Sequence, residues 1–277
     1  MRRARGDLTI TAVRIALTIA GSDPTGGAGL QQDLQVFRSL GVHGAAIVTA
    51  LTVQDTAKVQ RVLPVFPSVV LEQIRALIRD VTLHAVKLGM LATDDVARMV
   101  ELGLSELLLA RPAPPPLVID PVLAASDGTI LLERRAWETL TRLFPLAALV
   151  TPNLPETEAL TGLDVSSVEG VEAAARALVG ELGARAALIK GGHRDGPPDD
   201  LLAESSGDGI TLTWLSGHRI EGPPVHGTGC ALAAAAAAGL ATGASVYDAV
   251  AQARTFVASA YRNAFAAGQG ARLLGLP

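Results

Sequence analysis

The chain has 277 residues, 49% apolar and 18% charged; the charged share is below the ~25% of an average soluble protein, so a large buried core is expected. A net charge of −4 excludes the basic footprint of a nucleic-acid or anionic-membrane binder, so a nucleotide ligand must be held locally. The single cysteine, Cys230, excludes an internal disulfide and suits a reducing cytoplasm, and the first apolar run, Ile15 to Gly21, is too short for a signal core or a membrane span.

Met1 to Thr11 is expected to be a disordered extension ahead of a single domain over residues 12–277. Short β-rich apolar runs follow at Ile15–Ala20, Ala45–Thr49, Ala85–Leu88, Leu117–Ile119, Ala148–Val150 and Ala186–Ile189. Helical patterns lie between them at Leu30–Leu40, Pro67–Asp80, Thr93–Leu102, Glu133–Leu143 and Val168–Leu182. Continuous apolar strands alternating with helices predict an α/β fold with a parallel sheet covered on both faces. Arg111 to Pro116 is a stiff surface loop rather than a linker. Leu201–Ala203 and Ile210–Trp214, separated by Ser205 to Gly209, predict an antiparallel hairpin. The last long helix starts at Ser245, with Asp248 as its capping partner and Val246, Val250, Ala253, Val257 and Ala260 on one face.

In such a sheet ligands sit at the carboxyl ends of strands, so the polar segments found there are expected to converge. Ala20 to Gly29 follows the first strand. Gly21 and Gly26 have phosphate-loop spacing, but Gly27-Ala28 stands where lysine and a hydroxyl residue are needed, so this loop admits a ligand without gripping a triphosphate. Asp33, just beyond, either faces the pocket or complements the helix dipole. After the second strand, Gln54 carries donors and an acceptor suited to a nitrogen heterocycle, unless it is a solvated loop residue. Asp120-Pro121-Val122 and Thr151-Pro152-Asn153-Leu154-Pro155-Glu156 end two further strands. Asp120 and Glu156 are hard oxygen donors for Mg²⁺, while Asn153 with Glu156 is also a helix-capping pattern. Lys190-Gly191-Gly192-His193 places a lysine at a strand end, where it neutralises phosphate charge. Histidines 43, 84, 193, 218 and 226 lack zinc-ligand spacing.

His226-Gly227-Thr228-Gly229-Cys230 opens an alanine-rich helix. Two glycines at a helix start leave bare N–H groups pointing at one spot, an anion seat, and a thiolate at Cys230 is expected to be stabilised there. The alternative is a tight turn with Cys230 as a small buried hydrophobe.

Taken in order, AGSDPTGGAGLQQDL, TALTVQDT, KLGM, IDPV with TPNLPE, and KGGH followed by HGTGC resemble the ribokinase-like superfamily. Within it they resemble the hydroxymethylpyrimidine/phosphomethylpyrimidine kinases of thiamine biosynthesis, from about Ala16 to Ala238. The resemblance implies a three-layer α/β/α sandwich with a mostly parallel central sheet. It also implies transfer of the γ-phosphoryl of ATP, with Mg²⁺, to 4-amino-5-hydroxymethyl-2-methylpyrimidine, then to its monophosphate. Gln54 then matches the residue reading the pyrimidine, and Gly21, Asp33, Met90 and Val122 match positions lining its pocket. Asn153 and Glu156 match the Mg²⁺–phosphate motif with Asp120 close by, and Lys190 matches a phosphate-contacting lysine. His226, Gly227, Thr228 and Gly229 match the anion hole, and Cys230 stands where sugar kinases carry their base. A cytoplasmic homodimer is implied as well. The competing readings are a pyridoxine or pyridoxal kinase and a pyrimidine sensor without turnover. Two departures stand out: Ser126 replaces a lysine common among relatives, and Ala231-Leu232-Ala233 offers no hydroxyls after the cysteine.

Overall fold

The computed structural model describes residues 13–109, 112–192 and 197–277. The expected extension, Met1 to Thr11, lies outside the described residues, as do Arg111 and His193. The chain begins with β1 (Ile15–Ser22), α1 (Gly29–Ser39), β2 (His43–Gln54), β3 (Val59–Pro64) and α2 (Pro67–Asp80). It continues through β4 (Ala85–Leu88), α3 (Asp94–Leu109), β5 (Leu117–Ile119), α4 (Trp137–Thr141) and β6 (Leu149–Val150). Then come α5 (Leu154–Thr161), α6 (Val168–Gly180), β7 (Ala186–Ile189), β8 (Asp200–Ser206) and β9 (Gly209–Leu215). Last are β10 (Val225–His226), α7 (Thr228–Ala241), α8 (Val246–Arg262) and β11 (Arg272–Leu273).

Nine of these strands form one sheet in the order β3-β2-β1-β4-β5-β6-β7-β8-β9. Pairings from β2 across to β7 are parallel, whereas β3, β8 and β9 join antiparallel. The mostly parallel sheet and the late hairpin therefore stand as expected. Several elements differ from the sequence reading: α3 runs on to Leu109, and β10 and β11 are additional. β2 continues to Gln54, so that residue ends a strand instead of lying in a loop. β3 was not anticipated, because a short edge strand burying little beyond Val62 shows no apolar alternation, and its terminal Pro64 is tolerated only at an edge. The pattern over 133–143 divides into a 3₁₀ turn at Arg134–Ala136 and the short α4.

Helices cover both faces. One core packs Leu17, Ile19, Leu88 and Ile119 of the sheet against Ile74 of α2, Val100 and Leu104 of α3, Leu140 of α4 and Leu178 of α6. The other packs Ala16, Ala85, Val118 and Ala186 against α1, α7 and α8. Adjacent strand residues thus point to opposite faces, and on β1, β4 and β5 the α7 side carries the smaller ones. α7 is apolar all round, with Ala231 to Gly239 buried, as suits a helix enclosed by sheet and neighbours instead of lying on a surface. Its alanines bring the helix axis close to β1, β4 and β5, which fixes where its N-terminus emerges.

The strand order reverses at β1, flanked by β2 and β4, and a crevice opens at the carboxyl end of such a switch point. The C-terminal segment closes over that end: β10 pairs with β11, and Thr56 accepts from Ala271 N at 2.8 Å. No helix among the described residues is long and apolar enough to cross a membrane.

Close packing of α7 makes a specific demand. Replacing the fully buried Ala237 with leucine should overpack this core and cost about 1–3 kcal/mol, read as a lower urea midpoint at unchanged m-value.

Candidate active site

A cleft of about 1030 Å³ runs along the carboxyl ends of the strands. Apart from Asp33, every residue singled out in the sequence as a candidate lines it.

The N-terminus of α7 is built by contact between two glycine segments. Gly227 has φ +77° and caps the helix, and a Cβ there would collide with the carbonyl oxygen of Gly27. Only glycine meets both demands. Among the described residues no side chain caps this helix, and the N–H groups of Thr228, Gly229 and Cys230 find no backbone acceptor. They are orphan donors at the positive end of a buried helix, open to the cleft. α1 also begins at the cleft, with Gly29 at φ +59° tucked against the Gly21 carbonyl. α5 begins there too, on the Asn153 cap.

A run of buried charge lies beneath these ends. Lys87, in the middle of the apolar strand β4, is fully buried and its Nζ donates to Asp33 Oδ2 at 2.9 Å. Asp33 also accepts from Thr18 Oγ1 at 2.6 Å. Burial pulls the Lys87 pKa down, but the neighbouring Asp33 and Asp120 carboxylates outweigh it and hold the ammonium. Asp120 accepts from Lys190 Nζ at 2.8 Å and from Thr151 Oγ1 at 3.1 Å. Burial raises the Asp120 pKa, yet Lys190 and Lys87 more than reverse this and keep it ionised. Glu156 is the contrast: burial and the charge of Asp120 lift it to about 7 despite Lys190. Two carboxylates pushed apart in this way suit different protonation states at one pH.

The capping alternative for Asn153 and Glu156 is realised in full. Glu156 N donates to Asn153 Oδ1 and Asn153 N donates to Glu156 Oε2, both at 2.8 Å. A bridge between Asn153 and Lys190 draws this cap to the Lys190–Asp120 pair. Among the described residues no three acidic, histidine or cysteine side chains form a metal cage. Asp120 and Glu156 instead offer the one or two carboxylates that Mg²⁺ shares with phosphates and water, and the proton held by Glu156 near neutrality marks a site short of positive charge.

Three expectations are corrected. Asp33 does not line the pocket: it is fully buried below the cleft, clasped by Lys87 and Thr18. Cys230 is not an activated thiolate: burial pushes its thiol up to about 11, with Asp120 and Asp33 adding to the rise and Lys87 only partly opposing it. The His226 imidazole does not join the anion seat. Its Nε2 lies 2.9 Å from Asp23 Oδ2 and 3.1 Å from Gln54 Nε2.

Gly21 packs on Met90, whose Sδ would lie 2.8 Å from a Cβ at that position. Met90 joins Ala50 and Ala92, with Val62, Val122 and Leu131, in a small apolar cluster of which Met90, Val122 and Leu131 reach the cleft. Ser126 lies in the turn joined by the Ala124–Ile130 bridge, and that turn is tied to β3 by Val59 N donating to Asp127 Oδ2 at 3.0 Å. The sequence reading missed Lys87, Asp23 and Arg254. A lysine inside Ala85-Val86-Lys87-Leu88 was the available signal, since lysine is almost never fully buried without a partner. Arg254 on α8 clamps Asp200 at 2.8 Å and the carbonyls of Leu215 and Ser216 at 2.9 Å, and no sequence pattern announced it.

Residues 23–274 match the model of the phosphomethylpyrimidine kinase family. The chain is 41% identical over 257 residues to a hydroxymethylpyrimidine/phosphomethylpyrimidine kinase of Streptomyces coelicolor, covering 92% of this chain and 91% of the relative. Among solved structures it superposes on a Bacillus subtilis pyridoxal kinase in complex with ADP, with a TM-score of 0.83 at 30% identity over 95% of this chain and 97% of that one. It also superposes on the phosphomethylpyrimidine kinase of Clostridium difficile, with a TM-score of 0.77 at 32% identity over 90% and 99%. The fold, the cleft and these matches agree, and the chain belongs to the phosphomethylpyrimidine kinase family.

Proposed function

We propose that this kinase transfers the γ-phosphoryl group of ATP to the hydroxymethyl oxygen of 4-amino-5-hydroxymethyl-2-methylpyrimidine, and then phosphorylates the monophosphate to the pyrophosphate. The observation that carries this reading is the meeting of the orphan N–H groups of α7 with the Lys190 ammonium, which lies 3.1 Å from where a Cβ on Gly229 would be. Family membership supplies the reaction class, and this arrangement supplies the place where phosphate charge is received.

In the transfer the hydroxymethyl oxygen bonds to the γ-phosphorus while the bond from that phosphorus to the bridging oxygen breaks, leaving ADP. The transition state is loose, with charge spread over the phosphoryl oxygens, so positioning and charge stabilisation dominate. The first-turn N–H groups at Thr228–Cys230 and the Lys190 ammonium meet that charge. Asp120 keeps Lys190 charged and aimed. Mg²⁺, held by Asp120 and Glu156, would neutralise phosphate charge when bound. The Met90–Val122 wall and Gln54 hold the heterocycle. Cys230, as a neutral thiol, shapes the space beside the reacting oxygen, whose proton passes late to solvent water as the new O–P bond acidifies it.

The pyridoxal kinase reading has its own support in the 0.83 TM-score to the Bacillus subtilis enzyme. Purified protein with ATP, Mg²⁺ and either the pyrimidine or pyridoxal, with products resolved by mass, separates the two. Pyrimidine mono- and pyrophosphates are expected; phosphorylation of pyridoxal alone would overturn the proposal.

Glu156→Gln preserves a carbonyl oxygen for the cap and removes the negative charge. It should raise the Mg²⁺ concentration for half-maximal rate by about 10- to 100-fold with little change in the thermal midpoint. Alkylation of Cys230 by iodoacetamide in the free enzyme should accelerate with pH through 9 and 10 without a plateau, because thiolate accumulates only towards about 11. A plateau by pH 8 would restore the activated thiolate.

A further inference from the structure

Asp23, His226 and Gln54 form a chain of contacts whose proton bookkeeping has one consistent solution. Asp23 Oδ2 lies 2.9 Å from His226 Nε2. Asp23 also accepts from Thr25 N at 2.9 Å and from Thr25 Oγ1 at 2.9 and 3.0 Å, and these bonds with that from His226 overcome burial and hold it as a carboxylate. A carboxylate only accepts, so Nε2 of His226 must carry a hydrogen. The Gln54 amide also approaches this same Nε2, at 3.1 Å. A nitrogen that donates cannot receive an N–H, so the amide atom turned to His226 is the carbonyl oxygen, which shares the single Nε2–H with Asp23; the two ends of a carboxamide have the same shape. The Gln54 NH₂ group is then directed away from His226.

The imidazole packs closely against the glycine loop. A Cβ on Gly27 would fall 2.9 Å from His226 Cδ2, and the same spot is crowded by Leu273 of β11. Backbone contact between the Gly27 loop and Gly227 pins His226 from the other side of the chain. Asp23, His226 and Gln54 all line the cleft, so the orientation of the amide is presented to a ligand.

We propose that Asp23 and His226 are positioning residues that lock the Gln54 amide with its N–H donors towards the substrate, so that the site selects a heterocycle offering a ring-nitrogen lone pair. This rests on the reading that Gln54 faces the pyrimidine. Asp23 fixes the proton on His226, His226 fixes the amide, and the amide sets the hydrogen-bond polarity of the pocket. A ring carrying C–H at that position leaves a buried N–H unpaired, which costs far more than a displaced solvent contact.

The test measures binding of the pyrimidine and of its two monodeaza analogues, each with one ring nitrogen replaced by C–H, to the full chain by calorimetry. The proteins compared are wild type, Gln54→Ala, His226→Leu and His226→Gln, each shown to unfold cooperatively. Wild type should bind one analogue about 10- to 100-fold more weakly than the parent. The gap should vanish in Gln54→Ala, shrink below about threefold in His226→Leu, and return in His226→Gln, which still offers an N–H. In the steady state His226→Leu should raise KM for the pyrimidine by about tenfold or more and change kcat less. A full gap in His226→Leu overturns the positioning role while leaving Gln54 in place. A full gap in Gln54→Ala overturns the placement of Gln54 itself, and with it this proposal.

Discussion

The site rests on one buried ammonium. Lys87 lies inside an apolar strand at the centre of a nine-stranded sheet, where an isolated charge would cost several kcal/mol to desolvate. It is tolerated because Asp33 meets it at 2.9 Å and the Asp120 carboxylate lies close enough to feel its field. That requirement fixes the neighbours in turn. Asp33 must come from α1 and Asp120 from the end of β5, and the Cys230 thiol in the first turn of α7 lies in the same field. Three elements of the fold thereby meet at one point. The same pair explains Gly89, where a Cβ would fall 2.7 Å from the ammonium.

Above this floor the cleft is organised by helix ends. α1, α5 and α7 begin there, and two of the three starts, at Gly29 and Gly227, need glycine at positive φ with another backbone pressed against it. The third is closed by a reciprocal cap. One consequence is an uneven distribution of free donors. In α5 the Glu156 N–H is satisfied by Asn153 and Pro155 has no N–H to offer, whereas α7 leaves its own open. The phosphate-receiving end is therefore α7, and α5 serves to hold Glu156 and its carboxylate in place. The alanines of α7 matter for the same reason, since a bulkier face would move those open donors away from Lys190.

Much of this was legible in the sequence because its signals are local or periodic. The parallel strands, the helices on both sides and the late hairpin follow from apolar runs and turn residues. So does the convergence of Gln54, Asp120, Lys190 and Cys230, since each stands at a strand end or a helix start and the sheet's topology does the gathering. What escaped is non-local. Asp33 was assigned to the pocket because its position beside a glycine loop does not reveal a lysine 54 residues away that claims its carboxylate. β3 escaped because an edge strand with little more than Val62 turned inward imprints no pattern. Arg254 escaped because its partners, on β8 and the segment after β9, are brought to it only by the docking of α8.

Cys230 shows how a correct local rule is outweighed. A helix N-terminus stabilises a nearby anion by about 0.3–1 kcal/mol, and by about 2 in partly buried settings. Moving the thiol from about 9 to about 11 corresponds to roughly 3 kcal/mol in the opposite sense, led by burial. The carboxylates of Asp120 and Asp33 push in that same direction, and Lys87, the leading cation that opposes them, is already bonded to one of the two. Incoming phosphate adds negative charge at the same end of the cleft. Phosphate charge therefore also favours the neutral thiol, and the positive groups beside it remain available for the phosphoryl oxygens instead of being neutralised by sulfur.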